Sequence, residues 1–269
     1  MLSSVVMRRR GLSAFKKLRA TMGFIGFVQN WGDHYVATYG SARPALMTYR
    51  LRNGLQLEAR PRTLDVAVLK DVFSHHVYTP RGFEIEANSI VLDVGAHVGA
   101  FAASAARSAA GVTVYAFEPS PENFALLSSN MARNGLSNVL PAQCAVAGGG
   151  GVRQLHVSDS PAEHSLHIVK PGAVQLPVSS ITLAEIIEQH AIKTIDLLKM
   201  DCEGAEYEIL EAAVGQGALQ RVRRVALEAH VLDASRSPSW LVALLRAQGF
   251  HVRAGFEGTA TSMIWASRA

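Results

Sequence analysis

From residue 89 onward, apolar runs of strand length alternate with stretches of helical period, and no other feature of this chain restricts its fold as much. SIVLDVG (89–95), VTVYAFE (112–118), VLPAQCAVA (139–147), TIDLLKMD (194–201) and RRVALEAHV (223–231) read as strands. Helical spacing predicts helices over 98–109, from Pro121 to Gly135, and over 181–190, 205–213 and 238–248. FHVRAGF (250–256) and ATSMIWAS (260–267) close the chain as a strand pair. Such alternation implies βαβ units and a mostly parallel α/β sheet with helices on both faces. Ligands of these sheets bind outside the carboxyl ends of the strands, near the switch in strand order. The 269 residues, about half of them apolar, suffice for one domain of ordinary size.

Upstream, TYRLRNGLQLEAR (48–60) reads as a hairpin around Asn53-Gly54, a pair suited to a type I′ turn. Leu64, Val68, Leu69 and Val72 follow at helical spacing. Downstream, residues 148–172 are rich in Gly, Ser and His and read as an elaborated loop with one short strand near 152–157. The net charge of +4 is uneven: Arg8, Arg9, Arg10, Lys16, Lys17 and Arg19 lie in a segment, 1–32, that has no acid. The body is therefore near neutral and shows no basic stripe for nucleic acid. Leu12, Phe15, Leu18 and Met22 can share one face of a short basic helix, read as lying over the domain, with weak membrane-surface contact as the alternative. Cys144 and Cys202 sit in apolar contexts without metal-type spacing, as reduced thiols of a cytoplasmic protein would.

In VLDVGAHVGAFA (91–102) a strand runs through a glycine turn into a helix. A dinucleotide cradle needs G-x-G-x-x-G so that backbone can approach a pyrophosphate; here His97 stands at the second glycine position, between Gly95 and Gly99. That weighs against a nicotinamide-dependent oxidoreductase. Asp93, at the strand end, is placed to hold a cationic amine. Glu118, followed by Pro119, ends the next strand, where a carboxylate can accept both hydroxyls of a ribose. An amine site, a ribose site and no phosphate cradle together point to S-adenosyl-L-methionine, bound by Asp93, Gly95, His97, Gly99, Glu118 and Pro119 with its close approach at Gly95; helix capping is the alternative, disfavoured because two acids flank one glycine turn.

Together VLDVGAHVGAFA, YAFEPSPENF, TLAEIIEQHAIKTIDLLKMDCEGAEYEIL and VALEAH make the chain resemble the FkbM family of S-adenosylmethionine-dependent methyltransferases from about residue 70 to the C-terminus. The K-x-D-x-E-G-A-E block is the most specific part. The resemblance implies a Rossmann-like class I methyltransferase with a seven-stranded sheet, and methyl transfer to hydroxyls of sugars or secondary metabolites. The family usually has Asn where this chain has His97. The implied organisation is a basic arm (1–32), a hairpin and helix extension (33–88) and a methyltransferase domain (89–269).

Three carboxylates, Asp201, Glu203 and Glu206, crowd the end of the strand at 194–201. In the topology that the resemblance implies, this strand neighbours the one ending at Glu228-Ala229-His230. Asp201, Glu203 and His230 are then candidate catalytic groups, with Glu228 on the acceptor side, because an alcohol must lose a proton as its C–O bond forms. Glu206 is read as an ordinary first-turn acid of the following helix. The same carboxylates and His could hold a divalent metal, but no ligand spacing marks a dedicated site, and no metal ligand is assigned. His156, His164 and His167 lie in the loop region and could touch the acceptor. A partner-binding module that keeps the cofactor pocket without catalysis is the remaining alternative.

Overall fold

A computed structural model describes residues 23–41, 43–158, 160–169, 172–256 and 261–268. The basic arm's cations lie outside the described residues, as does the helix drawn for them. In chain order the elements are α1 (Trp31–Tyr39), β1 (Met47–Arg50), β2 (Gln56–Ala59), α2 (Asp65–Lys70), β3 (Ile90–Val94), α3 (Ala100–Ala106), β4 (Thr113–Phe117) and α4 (Pro121–Arg133). They continue with β5 (Val139–Ala142), β6 (Ala145–Val146), β7 (Gly151–Val157), β8 (Val174–Ile181), α5 (Leu183–Gln189), β9 (Leu197–Met200), α6 (Glu206–Gly215), β10 (Arg224–His230), α7 (Pro238–Ala247), β11 (His251–Phe256) and β12 (Thr261–Ser267). Among the described residues no helix is long and apolar enough to cross a membrane.

The central sheet has seven strands in the order β11-β12-β10-β9-β3-β4-β5. β5, β4, β3, β9 and β10 run parallel, and β12 lies antiparallel between β10 and β11. Alternate strand residues feed two cores. Val91, Val114 and Ala226 pack with α3, Leu127 and Met131 of α4, and the extension. Leu92, Leu198, Met200 and Leu227 pack with Leu183, Ile209, Leu210, Leu241 and Leu245 from α5, α6 and α7. Chain order runs outward from β3 to β4 and β5, then resumes at β9 on the other side of β3. The switch point thus falls between β3 and β9, where a ligand crevice belongs.

Two local expectations change. The run 139–147 is not one strand: β5 ends at Ala142, and β6 joins a separate three-stranded sheet, β6-β8-β7. The region read as an elaborated loop is therefore a β insert, built on the long antiparallel pairing of β7 with β8. At the hairpin, only Gly54 of the Asn53-Gly54 pair has positive φ (88°), and Leu51 N–H donates to the Leu55 carbonyl. This is a three-residue loop with its glycine left-handed, not the type I′ turn, which needs positive φ at both residues.

The β1–β2 ribbon is held by asparagine side chains. Asn130, fully buried on α4, accepts from Glu58 N–H (2.7 Å) and donates to the carbonyls of Glu58 (3.0 Å) and Val98 (2.8 Å). Asn134, one turn later, accepts from Gln56 N–H (2.8 Å) and donates to Gln56 C=O (2.7 Å). On the other edge, Asn30 accepts from Arg50 N–H and donates to Thr48 C=O, both at 2.9 Å. Asn130→Ala removes the partners of buried backbone groups, so it is expected to cost about 2–3 kcal/mol. Asn134→Ala, where water can replace the amide, is expected to cost under ~1 kcal/mol. Urea denaturation of the two variants checks the difference; equal losses would show that Asn130 contributes no more than a surface amide.

Candidate active site

A pocket with about 800 Å³ of empty space, counting its mouth, opens at the switch point. Its floor runs from the end of β4 (Phe117, Glu118, Pro119), across the turn after β3 (Gly95, Ala96, His97), to the end of β9 (Asp201, Cys202, Glu203). Tyr78 and Phe101 wall one side; Leu155, Pro161, Ala162, His164 and Leu166 of the insert form another.

The glycine turn is organised from within. Asp93 does not line the pocket. It is fully buried, and the amine that it holds is the chain's own: Lys199 Nζ lies 3.0 Å from Asp93 Oδ1. The two residues face each other in register across β3 and β9. Lys199 also donates to the carbonyl of Gly95 (2.7 Å) and stands over the Tyr78 ring. Burial alone would lower the Lys199 ammonium, but Asp93 and Asp201 outweigh it and hold the pKa above the usual lysine value. A buried charge persists when it is paired in this way.

Gly95 borders the pocket, yet its glycine requirement comes from elsewhere. It has φ 75°, and a Cβ there would overlap the carbonyl oxygen of Asp201. The close approach expected for a cofactor is an approach of β9. Gly99 is likewise a packing glycine, since its Cβ would stand 2.6 Å from Leu127 and 2.8 Å from Met131 of α4. His97 has φ 52° and directs Nε2 to Oδ1 of the buried Asp65, at 3.2 Å. Asp65 is also engaged by Arg60 (2.8 Å), so the extension reaches the rim of the pocket. His97 therefore borders the pocket while its ring serves Asp65.

Glu118 sits at the centre of the floor. Its carboxylate accepts from the N–H groups of His97 (2.8 Å) and Ser120 (2.9 Å), one on each oxygen. Burial pushes its carboxyl pKa up, against the pull of His97 and those donors. Each oxygen keeps a lone pair for a ligand hydroxyl. Ser120 precedes α4 without making a side-chain cap, and Pro121 occupies its first turn.

At the far end Asp201 and Glu203 line the pocket, and His230 and Glu228 stand beside them, outside its lining. Asp201 accepts from Tyr78 O–H (2.8 Å). Glu203 is no helix cap: it has φ 51°, its carbonyl accepts from Ser165 of the insert, and its carboxylate lies 3.5 Å from His230 Nε2. Glu206, read above as a first-turn acid, is fully buried and holds His230 Nδ1 at 3.0 Å. Tyr207 O–H donates to the His230 carbonyl (2.7 Å), so α6 fixes both ring and backbone. Burial alone would lower the imidazole pKa, but Glu203 and Glu206 push it up to about 12. Both carboxylates therefore favour the protonated imidazole, which weighs against the role of base considered from the sequence. Glu228 faces Asp201, His230 and Glu203; burial, then Asp201, push its pKa up to about 7.

Sequence reasoning missed Lys199, Tyr78, Asp65 and Glu206. Lys199 had a signal, because a lone cation inside the apolar run DLLKM requires a buried counter-ion. Tyr78 had none. Of the insert histidines, His164 lines the pocket, His167 pairs with Glu208 at 2.9 Å, and His156 lies on β7 outside the lining.

A family profile described as Methyltransferase FkbM domain matches residues 93–252. The 31-O-demethyl-FK506 methyltransferase FkbM of Streptomyces tacrolimicus is 31% identical over 82% of this chain and 96% of that protein. Methyltransferase sdnD of Sordaria araneosa is 28% identical over 75% of this chain and 89% of its own length. The hexuronic acid methyltransferase AglP of Haloferax volcanii is 28% identical over 55% of this chain and 58% of that protein. Among solved structures, a precorrin-6y C5,15-methyltransferase from Geobacter metallireducens overlays with a TM-score of 0.43 at 14% identity, covering 68% of this chain and 81% of that one. The profile spans the glycine turn, Glu118 and the whole carboxylate cluster, and this chain belongs to the FkbM family of methyltransferases.

Proposed function

We propose that the protein transfers the methyl group of S-adenosyl-L-methionine to a hydroxyl oxygen of a sugar or a secondary metabolite. The observation that carries this reading is one pocket with Glu118 on its floor at the end of β4 and Asp201 and Glu203 at the end of β9. The fit of the cofactor rests on Glu118, whose remaining lone pairs suit the two ribose hydroxyls. Backbone N–H groups that would cradle a pyrophosphate are absent from this fit: the His97 N–H is committed to Glu118. Two relatives carry names that speak of a 31-O-demethyl substrate and of a hexuronic acid, which favours oxygen as the acceptor atom.

S-adenosylmethionine supplies an electrophilic methyl group on a sulfonium. The chain's residues do the rest. The apolar walls of Phe101, Phe117, Val146 and Leu155 keep water from the methyl. The carboxylates at the β9 end favour the cationic sulfonium and take up the proton that the acceptor hydroxyl loses as its O–C bond forms. Asp201 is oriented for this by Tyr78.

Glu118→Ala is expected to weaken S-adenosylmethionine binding by roughly 1.5–3 kcal/mol, the scale of a hydrogen bond to a charged group. Calorimetry on the folded variant measures it, and a methyl-transfer screen over sugars and macrolide alcohols tests the acceptor class. Unchanged cofactor affinity would remove Glu118 from the ribose site; methyl transfer confined to nitrogen or carbon acceptors would overturn the assignment to oxygen.

A further inference from the structure

We propose that Asp201, Glu203 and His230 form a site for one divalent cation at the acceptor end of the pocket. Residue spacing marks no such site; the topology makes it, by placing the end of β10 beside the turn after β9. One ligand atom from each of the three side chains lies within 4.8 Å of the others. Around an ion with bonds of ~2.1 Å, neighbouring ligand atoms lie roughly 3 Å apart and opposite ones roughly 4.2 Å, so the cluster closes on an ion with shifts of about half an ångström.

The state of His230 points the same way. The residue is 94% buried, being 6% exposed, and its Nε2 stops 3.5 Å from Glu203 Oε1. A charge-assisted hydrogen bond would close to about 2.7–2.9 Å. The gap is the one that an ion bound to both atoms would keep open. Its other nitrogen is held by Glu206, which is fully buried and whose second oxygen has no partner. A carboxylate on the far nitrogen is the usual support of a metal-binding histidine, since it fixes the ring and leaves Nε2 free to bind.

Charge balance adds to this. Glu228 faces Asp201 and Glu203, Glu203 and Glu206 both approach His230, and Lys199 is engaged by Asp93. Four carboxylates around one imidazole leave the cluster short of positive charge, which a bound cation would supply. One imidazole nitrogen and two carboxylate oxygens suit an ion that accepts both donor types, such as Mn²⁺. Its binding would displace the Nε2 proton.

The ion's role rests on the methyl-transfer reading, whereas its binding does not. An acceptor oxygen on the cation loses its proton more readily. The proton passes to the carboxylate cluster, the oxygen forms its bond to the methyl carbon, and the C–S bond breaks with its electron pair left on sulfur.

The test uses the full chain without cofactor or acceptor, titrated with Mn²⁺ and followed by the electron paramagnetic resonance signal of the free ion. One Mn²⁺ per chain is expected. Glu203→Gln and Asp201→Asn should each weaken binding at least ~10-fold, and Glu206→Gln about 10–100-fold through the histidine. Glu188→Gln, an exposed carboxylate outside the cluster, should leave it unchanged. If Glu203→Gln fails to fold, Asp201→Asn decides. No bound Mn²⁺ at millimolar concentration, or wild-type affinity in the cluster variants, overturns the site. Tight binding without any methyl transfer would keep the site and overturn the proposed reaction.

Discussion

Gly95→Ala is expected to destabilise the fold by roughly 3–6 kcal/mol. A non-glycine residue held at positive φ costs about 1–3 kcal/mol, and overpacking costs another 1–3 or more. The upper half of that range applies because the struck atom is the Asp201 carbonyl, part of the backbone, and no rotamer change can move it away. β3 and β9 are also clamped at this level by the Asp93–Lys199 pair and by Lys199 on the Gly95 carbonyl. The strand ends therefore cannot part without breaking a buried ion pair. Thermal and urea unfolding measure the loss. A variant of wild-type stability that has merely lost cofactor affinity would restore the reading in which Gly95 makes room for a ligand.

Asp201→Asn is expected to slow single-turnover methyl transfer by about 10²–10⁴-fold, the range for loss of a group that accepts a proton in the transition state. The amide keeps the shape and still accepts from Tyr78 O–H, which stands 2.8 Å away, so folding and cofactor affinity should change little. The decisive quantity is the ratio of rate loss to affinity loss. A variant that keeps its rate and loses about 1 kcal/mol of stability would make Asp201 a structural acid.

The alternation of strand and helix was readable because burial on both faces writes continuous apolar runs, and the strand ends follow from those runs. So the places of Glu118 and of the Asp201–Glu203 turn at strand ends are legible in the sequence. What could not be read is which acid meets which base. Asp93 was assigned to a ligand amine because the counter-ion, Lys199, lies 106 positions further along and meets it only through strand order. Glu206 resembled any first-turn carboxylate, since the helical period says nothing about a histidine arriving from β10. The insert failed for a different reason. β7 and β8 are half-exposed strands joined by a long connection, so neither carries the continuous apolar signature of a central strand.

The asparagine-bound ribbon has a consequence for association between chains. A two-stranded hairpin is marginal in water, and its two outer edges offer unpaired N–H and C=O groups to any passing strand. Here Asn30 occupies one edge, and Asn130 with Asn134 the other. Each amide presents a donor and an acceptor side by side, as a neighbouring strand would. The hairpin thus behaves as the middle of a sheet, with amides of α4 in place of one outer strand and Asn30 with the backbone of residues 27–29 in place of the other. The edge groups bound in this way are closed to strand addition by a second molecule.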